Sequence, residues 1–236
     1  MASINTYKEL ARAISLVANS IPGYESILDS LTPRNTPVVG ITGPPGAGKS
    51  TLTDKIIGEL VGQGKHLAIL CIDPSSVFTH GAILGDRIRM SEWYNNPHVF
   101  IRSLATRGAL GGLPPMAEEI IRLVKAASFD YIIIETVGVG QNEIAIASLA
   151  DLTIVVLVPE SGDDIQIMKA GLLEIADMFV VNKCDRPGAD IFASNIRRML
   201  HQSSLPASKQ KKVIKTIANA KQGITELVEA INAYFA

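Results

Sequence analysis

Cysteine is almost missing from this 236-residue chain, and neither sign of charge dominates it. Cys71 and Cys184 stand far apart, so the sequence holds no disulfide framework, no CxxC redox pair and no zinc pattern. His66, His80, His98 and His201 form no metal-spaced cluster either. The 22 Lys and Arg against 23 Asp and Glu leave a net charge of −1, which gives no general pull towards nucleic acid or an anionic membrane. No apolar run approaches the roughly 20 residues needed to span a bilayer. The N-terminus lacks the basic region and unbroken apolar stretch of a secretory signal, so a cytoplasmic protein is expected. What the chain does have is apolar content, 47%, ample for a core and too high for disorder.

That content is arranged as short β-branched runs alternating with longer amphipathic stretches. Strands are expected at 37–42, 66–72, 98–102, 130–135, 152–158, 177–182 and 212–217. Each is apolar nearly throughout, as strands buried on both faces should be. Helices are expected at 5–19, 50–62, 114–127, 142–149, 163–175, 189–202 and 223–234. The pattern predicts an α/β fold, a mostly parallel sheet with helices on both faces. Residues 1–36 read as an N-terminal helix and connector, and 37–236 as one domain.

The first strand runs directly into Gly43-Pro44-Pro45-Gly46-Ala47-Gly48-Lys49-Ser50-Thr51, which matches G-x-x-x-x-G-K-[ST]. Glycines let successive backbone N–H groups converge on phosphate oxygens at the positive end of the next helix. Lys49 would reach the outer phosphates and the Ser50 hydroxyl would ligate Mg²⁺. The plainer reading is a Gly-rich turn, but its place between a strand and a helix is the one the mechanism requires. A P-loop nucleotide site is the expectation.

The base is read from Asn182-Lys183-Cys184-Asp185, an N-K-x-D motif at the carboxyl end of the sixth strand. A carboxylate at Asp185 accepts from the N1 and N2 donors of guanine, whereas adenine has the wrong pattern at that edge. The Lys183 stem would cover the base face and Asn182 would tie this loop to the phosphate loop. After the last strand, the Ala218 N–H is a candidate donor to guanine O6, although Ile217 stands where a hydroxyl residue is usual. GTP is expected over ATP.

Three acids complete the phosphate end. Asp73 follows the second strand, Asp86 lies in Gly85-Asp86-Arg87, and Glu135 ends the strand that leads into Thr136-Val137-Gly138-Val139. Such carboxylates suit the water shell of Mg²⁺; helix-capping, surface and structural roles are their plainer alternatives. The Gly138 N–H is a candidate γ-phosphate sensor. Ras-like enzymes carry Asp in place of Glu135 and a water-orienting Gln in place of Val139, so slow unaided hydrolysis is expected. Lys49, Glu135 and Asp86 are the catalytic candidates. Arg87, Arg89, Arg102 and Arg107 could reach phosphates, but surface or ion-pair roles are the plainer reading for most; Arg107 is the best candidate of the four. Asp163 and Asp164 read either as a helix cap or as part of a switch.

The ordered series GPPGAGKST, CIDPSS, ILGDRIRM, TRGALGGL, ETVGVGQNE, SGDDIQIMKAGLLEIAD and NKCD resembles the MeaB/ArgK/MMAA family over about residues 37–224. The resemblance implies the SIMIBI class of P-loop GTPases and a GTPase chaperone of adenosylcobalamin-dependent methylmalonyl-CoA mutase or a related acyl-CoA mutase. It implies GTP/GDP and Mg²⁺ as ligands, with Ser50, Asp73, Asp86 and Glu135 at the metal. It also implies switch segments near 73–90, 135–143 and 159–169, gating cobalamin loading and release. The mutase, and a cobalamin adenosyltransferase beside it, are the implied partners. The family's C-terminal dimerisation arm finds no counterpart in the sequence up to Ala236, and a homodimer is left open.

Two other classes compete. A nickel metallochaperone of hydrogenase or urease maturation shares the scaffold but carries Cys/His sites that this sequence does not display. A binding module that uses GTP as a timer would have negligible turnover. An amino-acid transport kinase is weaker, since no second substrate site is evident.

Overall fold

The computed structural model describes residues 6–73, 90–108, 113–136, 145–159, 171–202 and 211–236. Seven strands form one sheet: β1 (Val38–Thr42), β2 (Leu67–Asp73), β3 (Val99–Ala105), β4 (Tyr131–Thr136), β5 (Leu152–Leu157), β6 (Met178–Val181) and β7 (Lys212–Lys215). Their order is β3-β2-β4-β1-β5-β6-β7 and every pairing is parallel. Each crossover therefore needs a connection over one face of the sheet. The helices are α1 (Tyr7–Ala18), α2 (Tyr24–Asp29), α3 (Lys49–Gly62), α4 (Ala117–Lys125), α5 (Leu172–Ile175), α6 (Ala189–Gln202) and α7 (Ile224–Phe235).

Strand alternation sorts the core into two layers. Val39, Ile41, Ile69, Ile133 and Ile154 point towards α3 and α7, where Leu52, Ile56, Leu227 and Ile231 meet them. Val38, Leu70, Ile132 and Ile134 point the other way, to Leu10, Ile14 and Val17 of α1 and Ile120 and Leu123 of α4. On that second face, Val155, Leu157 and Phe179 pack beneath Phe192 and Ile196 of α6. Each fully buried aliphatic side chain is worth about 1.5–3 kcal/mol. The N-terminal helix is thus packed into the same apolar layer as the sheet. Its start is fixed by a capping box in which Thr6 and Glu9 bond each other's backbone N–H groups.

Several boundaries differ from the sequence expectation for identifiable reasons. The connector 20–36 contains α2, which starts after Gly23 in a left-handed conformation and buries Leu28. The helix expected at 114 begins at Ala117, because Pro114-Pro115 precede it and Met116 is left-handed at φ +62. Strand β3 runs on to Ala105, since its polar residues Arg102 and Ser103 still pair with β2. Strand β7 stops at Lys215, and Ile217 instead makes an antiparallel bridge with Gln222. Of the helix expected at 142–149, the described part is a short 3₁₀ turn, Ile146–Ser148. Most of the helix expected at 163–175 lies outside the described residues.

Ser91–Trp93 forms another 3₁₀ turn, held to α3 by the Trp93 indole N–H, which donates to Asp54 Oδ1 at 2.8 Å. The second Asp54 oxygen pairs with Lys55 at 2.6 Å. No helix among the described residues is long and apolar enough to cross a membrane.

Candidate functional site

Parallel strands bring their carboxyl ends to one edge, and the site is assembled there. β1 passes into the loop Gly43–Gly48, and α3 starts at Lys49. Gly48 supplies no side-chain cap to α3, so the first N–H groups of the helix are left for a ligand on the loop. Two glycines are required on steric grounds. Gly43 has φ +136, and a Cβ there would lie 2.1 Å from the Val156 carbonyl oxygen. Gly48 has φ +89, and its Cβ would fall 2.5 Å from Asn182 Nδ2.

Lys49 is only 6% exposed and its ammonium donates to the carbonyls of Gly43 at 2.9 Å and Pro44 at 3.1 Å. The next residue, Ser50, donates its hydroxyl to Glu135 Oε1 at 2.6 Å. Glu135 is 1% exposed near the end of β4, and Asp73 is 2% exposed at the end of β2, the neighbouring strand. Directly after Glu135, Thr136 donates to the Thr42 hydroxyl at 3.0 Å, bonding the ends of β4 and β1 in the dry interior. That link had no signal in the sequence, because it depends on strand order.

The second half of the site comes from β6 and β7. Asn182 is 2% exposed and its amide donates to the Ala47 carbonyl at 2.9 Å. Asn182 Oδ1 accepts from the Thr216 hydroxyl and from the Ala218 N–H, both at 3.1 Å. Every polar atom of this buried side chain therefore joins the phosphate loop to the loop after β7. Lys183, in the left-handed region at φ +58, donates to the Gly46 carbonyl at 2.7 Å. Cys184 donates its thiol to Val181 O, and burial pushes that thiol up from its ordinary pKa.

These groups enclose a cavity of about 550 Å³, lined by the loop residues Gly46, Gly48, Lys49, Ser50 and Thr51 at one end and Lys183, Asp185 and Ala218 at the other. Gly43 and Ala47 stand behind this wall, their carbonyls accepting from Lys49 and Asn182, which line it. Two features differ from the sequence reading. The Ala218 N–H is taken by Asn182 rather than presented to the cavity. Arg107 is turned onto α1, donating to the Ala18 carbonyl and the Asn19 side chain, and Arg102 donates to Ser15. Asp86 and Gly138, together with Asp163 and Asp164, lie outside the described residues. Asn219 and Arg186 also line the cavity and carried no motif.

The donors at the phosphate end are all oxygens: one hydroxyl and two carboxylates on adjoining elements. Among the described residues no three His, Cys, Asp or Glu side chains form a metal cage. Mg²⁺ does not need one, since it keeps several waters and takes one or two carboxylates with substrate phosphates. A hydroxyl and two buried carboxylates, all hard oxygen donors, fit that ion.

The similarity to known proteins agrees with this arrangement. Residues 10–236 match the family model described as methylmalonyl Co-A mutase-associated GTPase MeaB. A putative GTPase of Pyrococcus horikoshii is 45% identical over 96% of this chain and 73% of its own length. GTPase ArgK of Escherichia coli is 38% identical over 94% of the chain and 70% of its own. The mouse mitochondrial methylmalonic aciduria type A homolog is 38% identical over 83% of the chain and 48% of its own length. Among solved structures, a LAO/AO transport system kinase superposes with a TM-score of 0.76 at 30% identity, covering 97% of this chain and 70% of that one. The hydrogenase maturation factor HypB of Archaeoglobus fulgidus, at 19% identity, 97% and 100% coverage and a TM-score of 0.60, shares the fold. The all-parallel sheet, the phosphate loop and the family match converge: this chain belongs to the MeaB family of SIMIBI P-loop GTPases and is a GTP-hydrolysing enzyme.

Proposed function

We propose that the protein is a Mg²⁺-dependent GTPase chaperone of a cobalamin-dependent acyl-CoA mutase, gating cofactor loading and release by its nucleotide state. The observation that carries this reading is the single cavity wall shared by the phosphate loop and the N-K-x-D loop, in a chain of a mutase-associated family. Lys49 would leave the carbonyls of Gly43 and Pro44 for the outer phosphates of GTP, exchanging neutral acceptors for anionic ones. Asp185, exposed and on the cavity wall, would accept from the guanine N1 and N2 donors. Asn182 would keep the base and phosphate loops at a fixed separation, and Lys183 would do the same from its bond to Gly46.

Ser50, Asp73 and Glu135 are the described residues that would hold Mg²⁺, with Asp86 as a further candidate. When bound, the ion neutralises charge on the transferring phosphoryl group. Glu135, acceptor of the Ser50 hydroxyl, would orient that ligand and organise water on the phosphate side. A nickel metallochaperone is not favoured: the maturation factors that resemble this chain do so below 20% identity, which speaks for fold alone.

The test is assembly with the mutase. Purified protein and a candidate mutase should form a complex whose stability changes between GTP and GDP. Transfer or release of adenosylcobalamin should follow the same change. A mutase whose binding and cofactor occupancy ignore the nucleotide would overturn the chaperone reading while leaving the GTPase intact.

A further inference from the structure

The described residues that leave β3, 106–108, do not line the cavity, yet their backbone is unusual. Arg107 has φ +51 and Gly108 φ +70. A non-glycine residue seldom adopts the left-handed region, and it stays there only where surrounding contacts determine it. Those contacts are with α1. Arg107 Nη1 donates to the Ala18 carbonyl at 2.9 Å, and Nη2 donates to Asn19 Oδ1 at 2.5 Å. Ala18 ends α1 and Asn19 is its C-cap.

The last turn of α1 contains no basic residue of its own. Its final carbonyl, that of Ala18 at the negative end of the helix, is met by a guanidinium from another element. Arg102, earlier on β3, donates to Ser15 Oγ at 2.7 Å, while the Asn19 amide donates to the Ser15 carbonyl at 2.6 Å. Two arginines from one strand and its exit loop therefore grip a single turn of α1. Beside Arg107, the Thr106 N–H donates to the Asp73 carbonyl at 3.1 Å. That bond closes the β2–β3 ladder, where Asp73 pairs with Ala105.

We propose that Arg107 is a positioning residue: it locks the β3 exit loop onto the C-terminal turn of α1 and so holds Asp73 in place at the metal end of the site. The proposal rests on the reading of Asp73 as part of the Mg²⁺ shell. The chain of contact runs Asn19, Arg107, Thr106, Asp73, and α1 is its outer end. Lysine does not replace the arginine, because a single ammonium lacks the planar fork that reaches two acceptors.

The experiment measures the Mg²⁺ concentration for half-maximal GTP hydrolysis, together with the melting temperature, in wild type, Arg107→Lys, Arg107→Gly, Asn19→Ala and Asn19→Ala combined with Arg107→Gly. Both arginine variants should raise the half-saturating Mg²⁺ by about ten-fold, as losing the outer support of a metal ligand does. Asn19→Ala should shift it in the same direction by less, and the double variant should match Arg107→Gly. Glycine relieves the left-handed strain that lysine retains, so the melting temperature of Arg107→Gly should fall less than that of Arg107→Lys. A lowered melting temperature with an unchanged Mg²⁺ requirement would overturn the proposal, leaving Arg107 as a mere anchor for α1. Asn19 is exposed, so its variant decides the matter if the arginine variants do not fold. Wild-type hydrolysis that ignores Mg²⁺ overturns the metal reading itself, and this proposal with it.

Discussion

The Ser50 hydroxyl and the Glu135 carboxylate, both buried, meet across 2.6 Å and join the first turn of α3 to the end of β4. The accepting carboxylate is 1% exposed, so the Ser50 hydroxyl is held by a group shielded from bulk water. Glu135→Gln keeps the shape and replaces the carboxylate with an amide. The expected result is a fall in GTP hydrolysis of about 100-fold or more, with GDP affinity changed far less. Single-turnover phosphate release and calorimetry give the two numbers; hydrolysis at the wild-type rate would remove Glu135 from the mechanism.

The Lys49 ammonium donates to the carbonyls of Gly43 and Pro44 at the start of the phosphate loop. Lys49→Ala loses a charge-assisted contact worth about 1.5–3 kcal/mol, so GTP affinity should drop by about 10- to 100-fold. Calorimetric titration with GTP checks this. An unchanged dissociation constant would mean that the phosphates lie elsewhere.

Asp185 stands on the base end of the cavity, clear of the buried Asn182 network. Replacing its acceptor oxygen with an amide reverses the pattern it presents. Asp185→Asn should therefore weaken GTP and improve xanthosine triphosphate, whose base offers an acceptor at the same edge. Competition between the two nucleotides measures the switch. Full retention of guanine preference would place base recognition on other residues.

The Cys184 thiol is pushed above its ordinary pKa chiefly by burial, against the smaller opposing pull of the Thr216 hydrogen bond and Lys215. Folding thus favours the neutral thiol. Any stability it lends is complete below the unfolded pKa and fades as pH rises through the folded one. The rate of alkylation by iodoacetamide should reach its midpoint at higher pH in the folded protein than in a denatured control. Cys71 is 1% exposed and should contribute little. A folded midpoint at or below the control would contradict the burial argument.

The strands were legible because a parallel sheet buries both faces, and runs such as Tyr131–Ile134 carry the apolar signal without interruption. The phosphate loop was legible because its chemistry restricts consecutive residues, Gly43 to Ser50. What sequence could not deliver depends on neighbours far away in the chain. Arg107 is only the best of four weak phosphate candidates in the sequence, and its place against α1 depends on a helix that ends 89 residues earlier in the chain. The Ala218 N–H looked available until Asn182, folded in from β6, was found to take it. Pro22-Gly23 and Pro33 suggested an open connector, yet between them six residues make a helix, because Leu28 has an apolar layer to enter.

Trp93 is the only tryptophan in the sequence. Its indole is fastened to Asp54, one helical turn beyond Ser50 on α3, and lies against Gly58, where a Cβ would come within 3.5 Å of the ring. All indole emission from this protein consequently arises beside the helix whose first turn contains Lys49 and Ser50. A change at that helix on nucleotide arrival or departure would therefore be read at a single residue, by stopped flow, without an added dye.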